Sequence, residues 1–372
     1  MDKITLYGVP FSLYAGRARS YLVKAGLPHR ETLATSQHFH NHVLPKADGL
    51  LTLPTIETAE GEVIRDSAAI IDHYEAQSGN GFSPASPRQR ILSLLMDVIG
   101  AEGLLRPAMH FRWNFPEENL AFLKIAFRTL VKEGPGRDEK AEAIANKMRR
   151  AAKAFGVAPE TYDVIETLYG EMLEKLERHF ATFPYLLGGK PCIGDFGMMA
   201  PLFAHLGRDP KPLAMMQANA VHLFRWTERM NRLDDDMCEF PSQDASYLAD
   251  DEIPDTLIEV LKQMAVDFVP ETQAAATTIN SWITAQGDLE PGTPIERGVG
   301  FARFEVRGVE TSALAQPYRF YLLARVQDEF ESLAETDQRA VKDLLTQCGM
   351  AEVLGFKLNR RIGRKNNLEV WA

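Results

Sequence analysis

Three cysteines in 372 residues, Cys192, Cys238 and Cys348, are too few and too widely spaced for most structural uses of a thiol. Their odd number and the lack of any Cys-x-x-Cys pair exclude a disulfide framework, a thiolate zinc site and a dithiol redox motif. Positive charge is also short. Lys and Arg number 41 against 51 Asp and Glu, a formal net charge of -10, which argues against nucleic acid as the main partner. The basic run Arg360-Arg361-Ile362-Gly363-Arg364-Lys365 reads as the solvated end of a helix. No uninterrupted apolar run reaches membrane length, and the first residues lack the charged-then-apolar pattern of a signal peptide. The expectation is a soluble cytoplasmic protein with no membrane partner. No internal repeat stands out.

What is present suits a globular chain. Hydrophobic residues at 45% and charged residues at 25% are ordinary for one, and the length accommodates two or three domains with sizeable cores. Ile4 and Leu6 alternate with Thr5 and Tyr7 as in a half-buried strand. Pro10 and Ser12 follow in a loop. Ala18, Tyr21, Leu22 and Ala25 then share one helix face, which Gly26 and Pro28 end. Leu53-Pro54-Thr55-Ile56-Glu57-Thr58 and Glu62-Val63-Ile64-Arg65 flank the turn Ala59-Glu60-Gly61, a predicted β-hairpin. Asp66-Ser67 precedes Ile70, Ile71 and Tyr74 as an N-capping pair precedes an amphipathic helix. Pro54 opens its strand and is a candidate cis residue, since only an X-Pro bond makes that isomer cheap.

The Gly, Pro and Ser content of Ser78 to Pro87 marks a linker. A mainly helical region follows, with Ile91, Leu94, Leu95 and Val98 on one face, Leu168, Met172, Leu176 and His179 on another, and a break at Glu133 to Asp138. Phe196, Met199, Ala200 and Phe203 give a helix opened by Asp195 its apolar side. Pro241 to Pro254 reads as a second linker. Beyond it, Ala302, Phe304 and Val306 alternate with Arg303, Glu305 and Arg307 as a short strand, and Tyr321 to Phe330 suits an amphipathic helix.

Leu6-Tyr7-Gly8-Val9-Pro10-Phe11-Ser12, Leu53-Pro54-Thr55-Ile56 and Arg65-Asp66-Ser67-Ala68-Ala69-Ile70, in that order and spacing, resemble the thioredoxin-like N-terminal domain of cytosolic glutathione transferases. Tyr185 to Phe196 resembles the family's second signature, which opens a central buried helix. Cys192 stands where the family usually has Ser or Thr in a reciprocal capping box, so Asp195 is expected to act in folding and half of the box to be weakened. The resemblance covers roughly residues 1 to 235. The expected fold is an α/β thioredoxin-like domain at 1–80, an all-α glutathione-transferase-type domain at 88–240, and a mainly helical extension with a short strand or hairpin at 250–372. The extension is free to pack on the helical domain, cover the active site or extend a dimer interface.

The resemblance also implies a chemistry. Glutathione would be the cosubstrate, the backbone at Leu53 beside cis Pro54 would pair with its cysteinyl part, and Asp66 and Ser67 would hold its γ-glutamyl end, where an acidic side chain suits the ammonium and a helix N-terminus suits the carboxylate. His42 or Lys46 would meet its glycyl carboxylate. Its thiol, ordinarily near pKa 8.5, needs a donor and positive potential to ionise. Ser12 occupies the serine-type position for that donor, with Tyr7 and Tyr14 as competitors; packing or capping is the structural alternative for each. Arg17 and Arg19 either add positive potential or form a salt-bridged face. Phe111 and Trp113, within His110 to Phe115, would wall the site of an apolar electrophilic small molecule, or pack in a core, as would Met198 and Met199. Conjugation for detoxification, lyase, dehalogenase and isomerase reactions all draw on the same thiolate, and a homodimer is implied. His38, His40 and His42 would share one side of an extended segment, but nothing completes a ligand set and no metal is expected. The other class of function is a non-catalytic binding or scaffold protein.

Overall fold

The computed structural model describes residues 3–79, 81–287 and 289–372. Strand β1 (Ile4–Tyr7) sits between two neighbours in a four-stranded sheet of order β2-β1-β3-β4. β2 (His29–Thr32) runs parallel to it with Leu6 opposite Glu31, while β3 (Thr55–Glu57) runs antiparallel with Leu6 opposite Ile56. β4 (Val63–Arg65) completes the predicted hairpin with Ile56 opposite Ile64. The alternation in β1 divides the two faces. Ile4 and Leu6 enter the main core, whereas Tyr7 packs with Phe39, Val43 and Val63 on the other side.

Helix α1 (Leu13–Lys24) begins at Ser12, whose Oγ accepts from Ala15 N at 3.4 Å, and it ends at Gly26, where φ is +66°. The His38 to His42 segment is not extended. It forms a π-helical turn (Phe39–Val43) running into the short α2 (Leu44–Lys46), because Ser36 caps Phe39 N at 3.0 Å and the buried pair Phe39 and Val43 needs helical spacing. Helix α3 (Ser67–Ser78) is capped by Asp66, which accepts from Ala68 N and Ala69 N at 2.9 and 3.3 Å. Asn80, inside the expected linker, lies outside the described residues.

The helical region comprises α4 (Pro87–Val98), α5 (Leu105–Trp113), α6 (Pro116–Arg128), α7 (Arg137–Ala151), α8 (Tyr162–Phe180), α9 (Ile193–Ala204), α10 (Pro210–Asn219) and α11 (Val221–Met230). A π-helical turn, Ile99–Gly103, joins α4 to α5. The buried helix α9 packs against both α1 and α4. Its approach to α4 demands glycine: a Cβ on Gly100 would lie 2.4 Å from the Gly197 carbonyl carbon, and one on Gly197 would lie 2.4 Å from Asp97 Cα. Asp195 is fully buried and accepts from Cys192 N at 2.8 Å, Leu186 N at 3.2 Å and Trp226 Nε1 at 2.9 Å.

The extension consists of α12 (Asp255–Gln286), the hairpin β5 (Phe301–Val306) and β6 (Val309–Leu314), α13 (Pro317–Ser332), α14 (Glu335–Gln347), and a last hairpin, β7 (Ile362–Lys365) and β8 (Leu368–Trp371). The basic tail is therefore a strand and not a helix end. Asn366, at φ +54°, turns the chain so that Lys365 pairs with Leu368. α12 lies on α8, and α13 and α14 lie on α4. One hydrophobic core runs through all three regions, from Leu6 and Ile71 through Leu95 and Phe196 to Phe320 and Trp371. The first two regions have the thioredoxin-like and all-helical architecture expected, and the third is mainly helical.

Candidate functional site

The sequence-predicted residues fall into a connected strip, a separate rim and three residues outside both, Tyr7, Tyr14 and Phe111. The strip begins at the N-terminus of α1. Ser12 is half-buried, its N–H bonded to Val9 O at 3.0 Å, and the loop before it is fixed from behind by Arg112, which donates to Phe11 O at 3.1 Å and Ala204 O at 3.0 Å while pairing with buried Asp209 at 2.6 Å. Phe11 and Val9 form an apolar cluster with Leu123, Ala126 and Phe127, and half-buried Leu53 and Trp113 pack on it. The Trp113 ring lies 5.6 Å from that of Phe127, and its buried indole N–H has no partner among the described residues.

Leu53–Pro54 is cis. Among the described residues the N–H and C=O of Leu53 make no hydrogen bond, whereas Pro54 O accepts from Asp66 N at 3.1 Å. An unpaired peptide unit thus stands beside the residue that caps α3. Asp66 has φ +83°, a conformation rare outside glycine. Ser67 is fully buried and its Oγ accepts from Arg17 Nη1 at 3.3 Å. Arg17, also fully buried, pairs with Asp97 at 2.5 Å. It is no solvated face residue: it ties α1 to the opening of α3 and to α4. Arg19 instead bonds Glu31 at 2.6 Å.

Tyr14 turns away from the loop and donates to Glu102 Oε1 at 2.9 Å. Glu102 lies on the π-helical turn after α4, is 2% exposed, and burial lifts its carboxyl from an ordinary 4.5 to about 7. Burial, and next the Glu102 carboxylate, hold the Tyr14 phenol well above the ordinary range. Tyr7 is on the opposite face of the sheet. It donates to Glu57 at 3.2 Å, and burial, with Glu57 next, pushes it up to about 12. Ser12 adjoins the strip through Phe11, whose cluster includes Leu53, while the Tyr14 phenol, bonded to Glu102, is still near enough to Asp66 and Arg17 for their charges to act on it.

Lys46 and His42 are exposed on the rim. Lys46 Nζ donates to Gly61 O at 2.8 Å, and the His42 ring lies 5.2 Å from that of His38. Phe111 is no pocket wall. It is fully buried in the helical core, stacked on Phe115 at 5.4 Å and against Tyr169 at 4.5 Å, because the helix face bearing it turns toward α8. Met198 and Met199 are core residues as well. Among the described residues no group of three or more His, Cys, Asp and Glu is arranged to hold a metal ion, and no helix is long and apolar enough to cross a membrane.

The extension reaches the strip directly. Tyr318 donates its hydroxyl to Asp66 Oδ2 at 2.8 Å. Asn367 accepts from Arg65 N at 2.8 Å and donates to Val63 O at 3.0 Å and Lys46 O at 2.9 Å, while Glu369 pairs with Arg65. Its side-chain amide thereby satisfies the free edge of β4. Tyr318 and Asn367 carry no sequence signal for this, being some 250 and 300 positions away from their partners in the chain. Asp97 and Glu102 do have one, as lone acids in the apolar stretch Leu94 to Leu105.

Residues 6–81 match the family model for the glutathione S-transferase N-terminal domain. No curated protein matches the chain. Solved structures similar to it include a glutathione transferase from Phanerochaete chrysosporium at 15% identity and TM-score 0.43, covering 63% of this chain and 98% of that one. A beta-etherase from Sphingobium sp. strain SYK-6 has 17% identity and TM-score 0.43, covering 64% and 99%. A theta class glutathione S-transferase from Xanthomonas axonopodis pv. citri, with glutathione bound, has 18% identity and TM-score 0.36, covering 66% and 100%.

Proposed function

The N-terminal domain, residues 6–81, belongs to the glutathione S-transferase family, and on that premise we propose that the chain is a glutathione-dependent transferase that attacks an apolar electrophile with the glutathione thiolate. The observation that carries this reading is the unpaired Leu53 peptide unit beside cis Pro54, directly preceding Asp66 and Ser67 in the strip. A tripeptide's cysteinyl backbone would take the two free groups of Leu53, and its ammonium would meet Asp66. Its thiol would lie toward the N-terminus of α1, where the helix dipole and the Ser12 hydroxyl favour the thiolate. Deprotonation breaks S–H, the proton passing to solvent water and the pair staying on sulfur, which then bonds to the electrophilic carbon as the leaving group departs with its bonding pair. Leu53 and Trp113, the half-buried residues packed on the Val9, Phe11 and Phe127 cluster, would offer that electrophile an apolar wall. Lys46 or His42 would meet the glycyl carboxylate from the rim.

The proposed setting is the cytoplasm, whose reduced glutathione pool suits both the cosubstrate and three free cysteines. A homodimer belongs to the same reading, formed through surfaces other than the faces of β4, α3 and α4 that the extension covers.

Calorimetric titration with reduced glutathione tests the proposal. Saturable binding by the wild type, lost in Asp66→Ala, is expected. Ser12→Ala should keep binding but lower turnover of a chloronitrobenzene-type electrophile by roughly 100-fold or more, the order of a lost activating donor. A folded wild type that takes up no glutathione sinks the reading. It would favour the second one, a non-catalytic binding or scaffold protein, for which one observation speaks: Asp66 and Ser67 already have protein partners in Tyr318 and Arg17.

A further inference from the structure

Helix α13 brings its first side chains into the seam between the N-terminal domain and the helical region. Arg319 is buried and donates to Thr272 Oγ1 at 3.2 Å, to Glu102 O at 2.9 Å and to Glu271 at 2.9 Å, which fixes the first turn of the helix. Arg325, two turns later on the side of Tyr318, pairs with Asp72 of α3 and lies 3.5 Å from Asp97 of α4. Tyr318 is thus delivered to Asp66 by a helix held at both ends of its contact with α3.

The two oxygens of Asp66 have different duties. Oδ1 accepts from Ala68 N and Ala69 N and closes the helix cap. Among the described residues Oδ2 accepts from the Tyr318 hydroxyl alone, at 2.8 Å. A carboxylate oxygen has room for a second donor, and a phenol orients the carboxylate without neutralising it. Cap and phenol together therefore leave Asp66 fixed in direction and with capacity on Oδ2 for a further donor.

We infer that Tyr318 of the extension is a positioning residue for the ammonium end of the bound tripeptide, holding Asp66 Oδ2 where that ammonium meets it. The inference rests on the glutathione-binding reading. It gives the extension a role in the site itself: the N-terminal domain supplies the carboxylate, and a residue 252 positions later sets its direction.

The test is a calorimetric comparison of the full chain and Tyr318→Phe, each titrated with reduced glutathione and with its des-amino analogue, glutaryl-cysteinyl-glycine. Loss of the hydroxyl should weaken glutathione by about tenfold, the lower end of what one hydrogen bond to a charged group contributes, and leave the analogue within about twofold. A merely structural loosening would weaken both ligands together. Asp66→Asn, which keeps an acceptor for the cap, should likewise lose the preference for glutathione over the analogue, an independent arm should Tyr318→Phe fail to fold. Unchanged or tighter glutathione binding in Tyr318→Phe, or an equal loss for both ligands, overturns the inference alone; a preference retained in Asp66→Asn overturns it together with the placement of the ammonium on Asp66. A folded wild type that binds neither ligand overturns the glutathione reading and this inference with it.

Discussion

Glu102 is the residue whose burial has the clearest consequence in solution. Its carboxyl accepts from Tyr14, and among the described residues no cation pairs with it directly, since Arg319 bonds its backbone oxygen. With a folded pKa of about 7 against an ordinary 4.5, it is neutral in both states below pH 4 and ionised in both well above pH 7. Between those limits the folded chain holds a proton that the unfolded chain has lost, so stability falls as pH rises through the window. The loss is on the order of 3 kcal/mol once the carboxyl is ionised. Glu102→Gln keeps an acceptor for Tyr14 and removes the titration. Denaturant unfolding from pH 5 to pH 8 should therefore decline less steeply in Glu102→Gln than in the wild type; parallel declines would mean that Glu102 is ionised throughout. The lone acid was visible in the sequence. Its Tyr14 partner was not, because a tyrosine two residues after Ser12 reads equally well as a loop hydroxyl aimed at a thiol.

At the scale of elements, legibility followed the range of the forces. The four-stranded sheet, α1 and α3 rest on local alternation, helix-face spacing and the caps Ser12 and Asp66, all written within a few residues of where they act. The basic tail failed the same local reading. Arg364 looks like a solvated charge, yet it donates to Arg65 O at 2.6 Å and pairs with Glu369 across the last hairpin. Phe111 failed for a related reason, since helical spacing says which residues share a face but not what that face meets. The last hairpin makes a prediction of its own. Asn367 satisfies the edge of β4 with one side-chain amide, so Asn367→Ala leaves Arg65 N and Val63 O without their partners. Each lost partner costs about 1 kcal/mol. Hydrogen exchange at the Arg65 amide should quicken several-fold while Leu6, inside the sheet, keeps its protection. Equal protection in the variant and wild type would show that the hairpin merely rests on the edge.

The whole molecule is joined by charges that no single region owns. Asp97 of α4 is shared by Arg17 of the N-terminal domain and Arg325 of the extension, and Arg106 of α5 pairs with Asp267 and Glu271 of α12. Removing one partner of such a buried pair strands the other, at roughly 3–5 kcal/mol, so each region depends on its neighbours for charge neutrality as well as for the common core. Composition breaks at Ser78 to Pro87 and Pro241 to Pro254 suggest separable units, because sequence displays linkers and conceals what crosses them. Calorimetry of the full chain should accordingly give one unfolding transition, with calorimetric and van't Hoff enthalpies agreeing. Arg325→Met should lower its midpoint without splitting it, by about 2–4 °C per kcal/mol for a chain of this size or somewhat less. Two resolved transitions in the wild type would make the extension an independent domain resting on the site. A single one would mean that Asp66 cannot lose Tyr318 through a separate unfolding of the extension.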